Sequence, residues 1–164
     1  MSRVLLIVVH SRTGTARAMA EAAASGAASE PATSTRLLAA ESATPEDLLA
    51  AAGYLFAAPE NLAALSGAMK EFFDRCYYPV LDRLNGRPYA AMIAAGTDGT
   101  GAARQIARIA TGWRLRVVAE PLIVLTGAQT PEAILAPKRI DAATLSRCEE
   151  LGTALAAGLA AGIF

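Results

Sequence analysis

Aromatic side chains are scarce in this chain, at 5%, and it has one histidine and two cysteines. With Cys76 and Cys148 far apart and outside any C-x-x-C spacing, that supply argues against a structural zinc site. Both thiols read as free, as in a reducing compartment. Net charge is absent too: fifteen Lys and Arg balance fifteen Asp and Glu. No global field therefore draws the chain to nucleic acid or to an anionic membrane, and neither is expected as a partner. Hydrophobic residues reach 54%, but much of this is alanine, and no stretch of about 18 residues is free of charge or turn residues. Leu151 to Phe164 is too short to span a bilayer. The apolar run Val4 to Val9 is too short for a secretion leader, so the expected location is cytoplasmic.

What is present fits one domain over residues 1–164. Val4 to Val9 is an unbroken aliphatic run, the pattern of a strand covered on both faces. Residues up to Gly26 are helix-compatible, and Thr35 to Ala39 reads as a short second strand. Thr44-Pro45-Glu46-Asp47 marks a helix start, with Thr44 as N-cap and Pro45 at the first helical position, and that helix ends by Gly53. Tyr54 to Ala58 is a third strand, stopped by Pro59; a helix follows from Ser66 to about Tyr78, until Pro79. Tyr89 to Ala95 is a fourth strand, Ala102 to about Gly112 a helix, and Val117 to Leu125 holds a fifth strand interrupted or preceded by Pro121. A helix from Ala142 to about Leu159 closes the chain. This alternation predicts an α/β, three-layer fold: a five-stranded parallel sheet with helices on both faces. Ligands of such sheets sit at the carboxyl ends of the strands, where the strand order switches.

The loop after the first strand, His10-Ser11-Arg12-Thr13-Gly14-Thr15, has the chemistry of an anion site. Hydroxyls, a glycine without a Cβ and the positive end of a helix converge there. It lacks the lysine of G-x-x-x-x-G-K-[ST] and the pattern G-x-G-x-x-G, which disfavours a nucleoside triphosphatase and a dinucleotide site. Ser11-Arg12-Thr13-Gly14-Thr15-Ala16 resembles the S/T-x-T-G-x-T phosphate loop of flavodoxins and related flavodoxin-fold reductases, which holds the FMN 5′-phosphate. Ser11, Thr13 and Gly14 match, Thr15 falls at the variable position, and Ala16 stands where the last hydroxyl belongs. Its loss removes a donor worth about 1 kcal/mol.

Two later stretches carry a narrower resemblance. Pro59-Glu60-Asn61-Leu62, followed by Gly67, Met69, Lys70 and Asp74, is similar to the segment T/S-P-E/T-Y, then G-x-L/M-K-x-x-x-D, of NADPH-dependent FMN reductases and flavin-dependent quinone reductases. The resemblance implies that Pro59 to Leu62 face the flavin ring, although Asn61 stands where an aromatic is usual. Gly96-Thr97-Asp98-Gly99-Thr100-Gly101-Ala102 is similar to the glycine-rich loop beside the pyrimidine edge of the flavin in the same reductases. It implies that Gly96, Thr97, Asp98, Gly99 and Gly101 join His10 to Ala16 as cofactor-binding residues.

A flavodoxin-like, FMN-binding flavoprotein follows as the expectation, with NAD(P)H as reductant and flavin or quinone as electron acceptor. No catalytic residue of the protein is expected, because the isoalloxazine carries the chemistry. His10 reads as a phosphate-side donor or strand-end filler, Cys76 and Cys148 as structural, and Met69, Phe72 and Phe73 as core. Tyr77, Tyr78 and Trp113 remain as aromatics to cover the ring, across an interface if the chain forms the homodimer or higher oligomer that the resemblance implies. Two alternatives stay open: a flavodoxin-type electron carrier and a flavin-free binding protein of the same fold. Zero net charge and the lack of aromatics in both ring-side loops favour the reductase over the carrier.

Overall fold

The computed structural model describes residues 2–164. In chain order the elements are β1 (Arg3–Val9), α1 (Thr15–Ala27), β2 (Thr33–Ala39), α2 (Pro45–Ala50), β3 (Gly53–Asn61), β4 (Ala64–Leu65) and α3 (Gly67–Val80). Then come β5 (Pro88–Ala95), α4 (Thr100–Gly112), β6 (Arg116–Val117), β7 (Leu122–Leu125), α5 (Pro131–Leu135) and α6 (Ala142–Ala161). The main sheet runs β2-β1-β3-β5-β6, all parallel, and β7 joins β5 farther along its length.

Strand geometry explains the two-sided core. Successive side chains of β1 point to opposite faces, so Leu6 and Val8 enter one cluster while Leu5, Ile7 and Val9 enter the other. The first cluster is closed by Leu48 of α2, Phe72 and Phe73 of α3, and Ile106 of α4. The second is closed by Met19 and Ala23 of α1 and by Leu155 and Leu159 of α6. Helices thus cover both faces, as the aliphatic runs predict, and each fully buried Leu or Ile contributes about 2 kcal/mol. On the second face small residues set the spacing. A Cβ added at Gly26 would collide with the Glu149 carbonyl, and one at Gly152 with the Ala23 carbonyl, so α1 and α6 lie backbone to backbone.

The fifth sheet position is shared by β6 and β7. Arg116 and Val117 pair with Pro88 and Tyr89, and Leu122 to Leu125 pair with Met92 to Ala95. Pro121 lies in the gap between them. Pro59, by contrast, does not stop β3. It cannot donate, but its carbonyl accepts from the Ser66 N–H at 3.2 Å and its Cα stays in register with Ala94. Nor does Pro79 end α3, which runs one residue past it to Val80. The sequence reading contains neither the β3–β4 hairpin nor α5.

Candidate functional site

The order reverses between β1 and β3, whose carboxyl ends lie side by side with Val9 opposite Ala57. A cleft of about 300 Å³ opens above them. Its walls are Ser11, Arg12, Thr13, Thr15 and Ala16 after β1; Pro59, Glu60 and Asn61 of β3; Ala94 and Ala95 at the end of β5, with Gly96 after it; and Thr126, Ala128, Ile134, Leu135 and Lys138 from the β7–α6 connection.

The loop after β1 turns at Gly14, whose φ of 101° lies in the left-handed region that glycine reaches without penalty. The Gly14 N–H donates to Ser11 Oγ at 3.0 Å, and α1 starts at the next residue. Thr15, at the head of that helix, is 5% exposed, and its Oγ1 has no hydrogen-bond partner among the described residues. A buried hydroxyl left in this way costs about 1–3 kcal/mol unless a ligand satisfies it. A 13-residue helix aims its free N–H groups at the same place. Both features fit a phosphate monoester.

His10 does not join them. Its Nδ1 is 2.8 Å from Ser66 Oγ, at the head of α3, and its Nε2 is 3.7 Å from Glu41 Oε1. Burial lowers its pKa below the ordinary histidine value and Arg12 acts in the same direction, while Glu41 opposes both. His10 thus links the end of β1 to α3 and lies outside the cleft wall.

At the other end, Glu60 spans two loops. Its Oε1 accepts from the Gly99 N–H at 2.9 Å and its Oε2 from the Ala102 N–H at 3.1 Å, which places a carboxylate on the positive head of α4. Beside it, Leu62 and Ala63 form the β3–β4 turn with φ of 51° and 62°, left-handed conformations that cost a non-glycine residue about 1 kcal/mol each. Leu62 stands fully exposed at the tip and does not line the cleft.

Of the glycine-rich loop, only Gly96 reaches the wall. Gly99 caps α4 with φ 88°, and Gly101 lets α4 approach the Ala63 carbonyl, where a Cβ would collide. Thr97 is exposed, and Asp98 Oδ1 accepts from Thr100 N–H and Oγ1, hydrogen bonds that lower its pKa. These four residues shape the loop from outside the cleft.

Among the described residues no aromatic lines the cleft. Trp113 is core, 5% exposed and packed edge-on against Phe73, with ring centroids 5.3 Å apart. Tyr77 and Tyr78 lie on α3 against each other. What sequence reasoning missed is the fourth wall. Its signal was present: Thr130-Pro131 repeats the Thr44-Pro45 helix start, and in the structure Thr130 Oγ1 accepts from the Ala133 N–H at 3.2 Å. Among the described residues no cluster of His, Cys, Asp or Glu can hold a metal, and no helix is long and apolar enough to cross a membrane.

Comparison with known proteins agrees with this geometry. The sequence model of the NADPH-dependent FMN reductase family matches residues 39–130, which include the second and third walls but not the loop after β1. A protein named flavodoxin from Aquifex aeolicus (strain VF5) is 35% identical over 97 residues, 59% of this chain and 52% of that protein. The chain thus spans about half the length of that relative. Among solved structures, a flavodoxin from the domain Archaea superposes with a TM-score of 0.72 at 17% identity, covering 96% of this chain and 98% of that one. A WrbA-like flavodoxin from Agrobacterium tumefaciens gives 0.71 at 20%, covering 98% and 99%. A flavone reductase gives 0.76 at 16%, covering 98% of this chain and 64% of its own. At such identities these superpositions establish the fold, which is flavodoxin-like. With more than half of its residues inside the family match, the chain belongs to the NADPH-dependent FMN reductase family.

Proposed function

We propose that this FMN-binding flavoprotein is an NAD(P)H-dependent reductase of flavin or quinone substrates, with residues 1–164 forming one domain. The observation that carries the reading is the buried hydroxyl of Thr15 at the head of α1, in a cleft wall where, among the described residues, that hydroxyl has no partner and no aromatic is present. When bound, FMN supplies hydride acceptance and electron donation. Ser11, Thr13, Thr15 and the N–H groups of the α1 head bind the phosphate, and Arg12 adds positive charge. Pro59, Glu60, Asn61 and Gly96 border the ring, while Gly99 and Gly101 keep their loop in shape. Without an aromatic cover, one ring face stays open to a nicotinamide and then to the acceptor.

A second reading has its own support: the 35% identical relative is named a flavodoxin, which favours an electron carrier. Stopped-flow oxidation of NADPH by the FMN-loaded protein separates the two. Turnover with quinone or free flavin supports the reductase; reduction without turnover supports the carrier. Purified protein is expected to be yellow or to become so with FMN, and a melting temperature that high-micromolar FMN leaves unmoved would sink both readings.

The cytoplasm suits Cys76 and Cys148, which are buried and free, and burial pushes both thiols up to about 11. A homodimer or higher oligomer is proposed from family resemblance, with no nucleic acid or membrane partner. Sedimentation showing a stable monomer at micromolar concentration would remove the oligomer.

A further inference from the structure

The fourth wall of the cleft contains a cation. Lys138, from the β7–α6 connection, is only half-buried, and its Nζ reaches the loop after β1, 3.4 Å from Thr13 Oγ1. Its other bonds go to carbonyls of its own segment, those of Ile134 and, at 3.0 Å, Ala136. Among the described residues no carboxylate lies within ion-pair distance of it. The one carboxylate in the cleft wall among the described residues, Glu60, has both oxygens committed to the head of α4. An ammonium is thus held at the loop after β1 by neutral acceptors, in the wall of the cleft that Thr15 also lines.

We infer that Lys138 is a ligand of the flavin 5′-phosphate, reaching across the cleft to supply the interaction that Ala16 cannot. The inference rests on the FMN reading above. A phosphate close to Thr13 and Thr15 replaces one long contact of the ammonium with a bond in which donor and acceptor both carry charge. A capping role for α5 alone would satisfy the carbonyls of Ile134 and Ala136 but would not require the side chain to reach Thr13.

The test compares FMN with riboflavin, which has the same ring and no phosphate. Lys138→Met is expected to weaken FMN binding roughly tenfold and leave riboflavin within about twofold, while Lys138→Arg keeps most of the preference for FMN. An unchanged FMN-to-riboflavin ratio in Lys138→Met overturns the inference. So does a wild-type protein that binds both flavins equally, and there the flavin reading survives; wild type that binds neither removes both.

A second measurement needs no variant. The chain has only two lysines, and Lys70 is paired with Asp74 at 2.7 Å on the exposed side of α3. Acetylation followed by mass spectrometry therefore carries its own reference. FMN should protect Lys138 and riboflavin should not, with Lys70 equally reactive in both. Equal protection by the two flavins, or none by either, overturns the assignment.

Discussion

At the scale of single residues, the Thr15 hydroxyl makes opposite demands on stability and on binding. Buried without a partner, it costs the ligand-free protein about 1 kcal/mol or more. Thr15→Val keeps the shape and removes the polar atom. We expect the ligand-free melting temperature to hold or rise and FMN affinity to fall about fivefold, with riboflavin affinity unmoved. Calorimetry with both flavins checks this, and equal losses for the two would mean that Thr15 serves the ring or the fold. His10 makes a second prediction, in pH. Its lowered pKa means that the folded state resists the proton, which the unfolded chain accepts near pH 6.5. The stability this provides is complete above pH 6.5 and is lost as pH falls through the lowered value. Melting of the ligand-free protein from pH 7.5 to 5 should show that decline in wild type and a shallower one in His10→Gln. Parallel curves would mean that other groups govern the acid limb. The hydroxyl and glycine pattern of residues 11–15 was legible because those residues are neighbours in the chain. The role of His10 was not, since its partner Ser66 lies 56 residues away.

At the scale of elements, most of the order was legible because aliphatic runs, N-caps and glycine-rich turns are local. Thr44 and Pro45 do what their types predict, and Asp47 completes a capping box whose hydrogen bonds to Thr44 lower the Asp47 pKa against the opposing effect of burial. Proline misled at Pro59, where β3 runs on because the Pro59 carbonyl is paired with the Ser66 N–H and its Cα stays in register with Ala94. The loops around the cleft were readable as loops but not as a linked pair, because the link is a side chain. Glu60→Gln tests that link. An amide keeps one acceptor and turns an NH₂ toward an N–H of the α4 head, so stability should fall by about 1–2 kcal/mol. On the proposed placement of the ring beside Glu60, FMN and riboflavin should weaken together. A selective loss of FMN would instead assign Glu60 to the phosphate end.

For the whole molecule, a scarcity of aromatics is balanced by an abundance of alanine and glycine, which lets helices approach closely. The consequence is greatest between α1 and α6, which make the most extensive contact between helices in the fold. Gly26 faces the Glu149 carbonyl, and Gly152 faces the Ala23 carbonyl, in a reciprocal arrangement that leaves no room for a methyl on either side. Since the opposing atoms are backbone, no rotamer can relieve the crowding, and a helix must move. Gly152→Ala is therefore expected to destabilise by about 2–3 kcal/mol, although alanine favours an isolated helix over glycine by about 1 kcal/mol. The midpoint of urea unfolding should fall with its slope unchanged. The helix that moves also matters, because the residues proposed to bind the phosphate lie at the head of α1, while no residue of α6 lines the cleft. If α6 yields, FMN binding at a temperature where the variant is folded stays near wild type; if α1 yields, FMN weakens more than riboflavin. A wild-type midpoint in urea would show that the two helices have room the structure does not display, and would remove close packing as the reason for glycine at both positions.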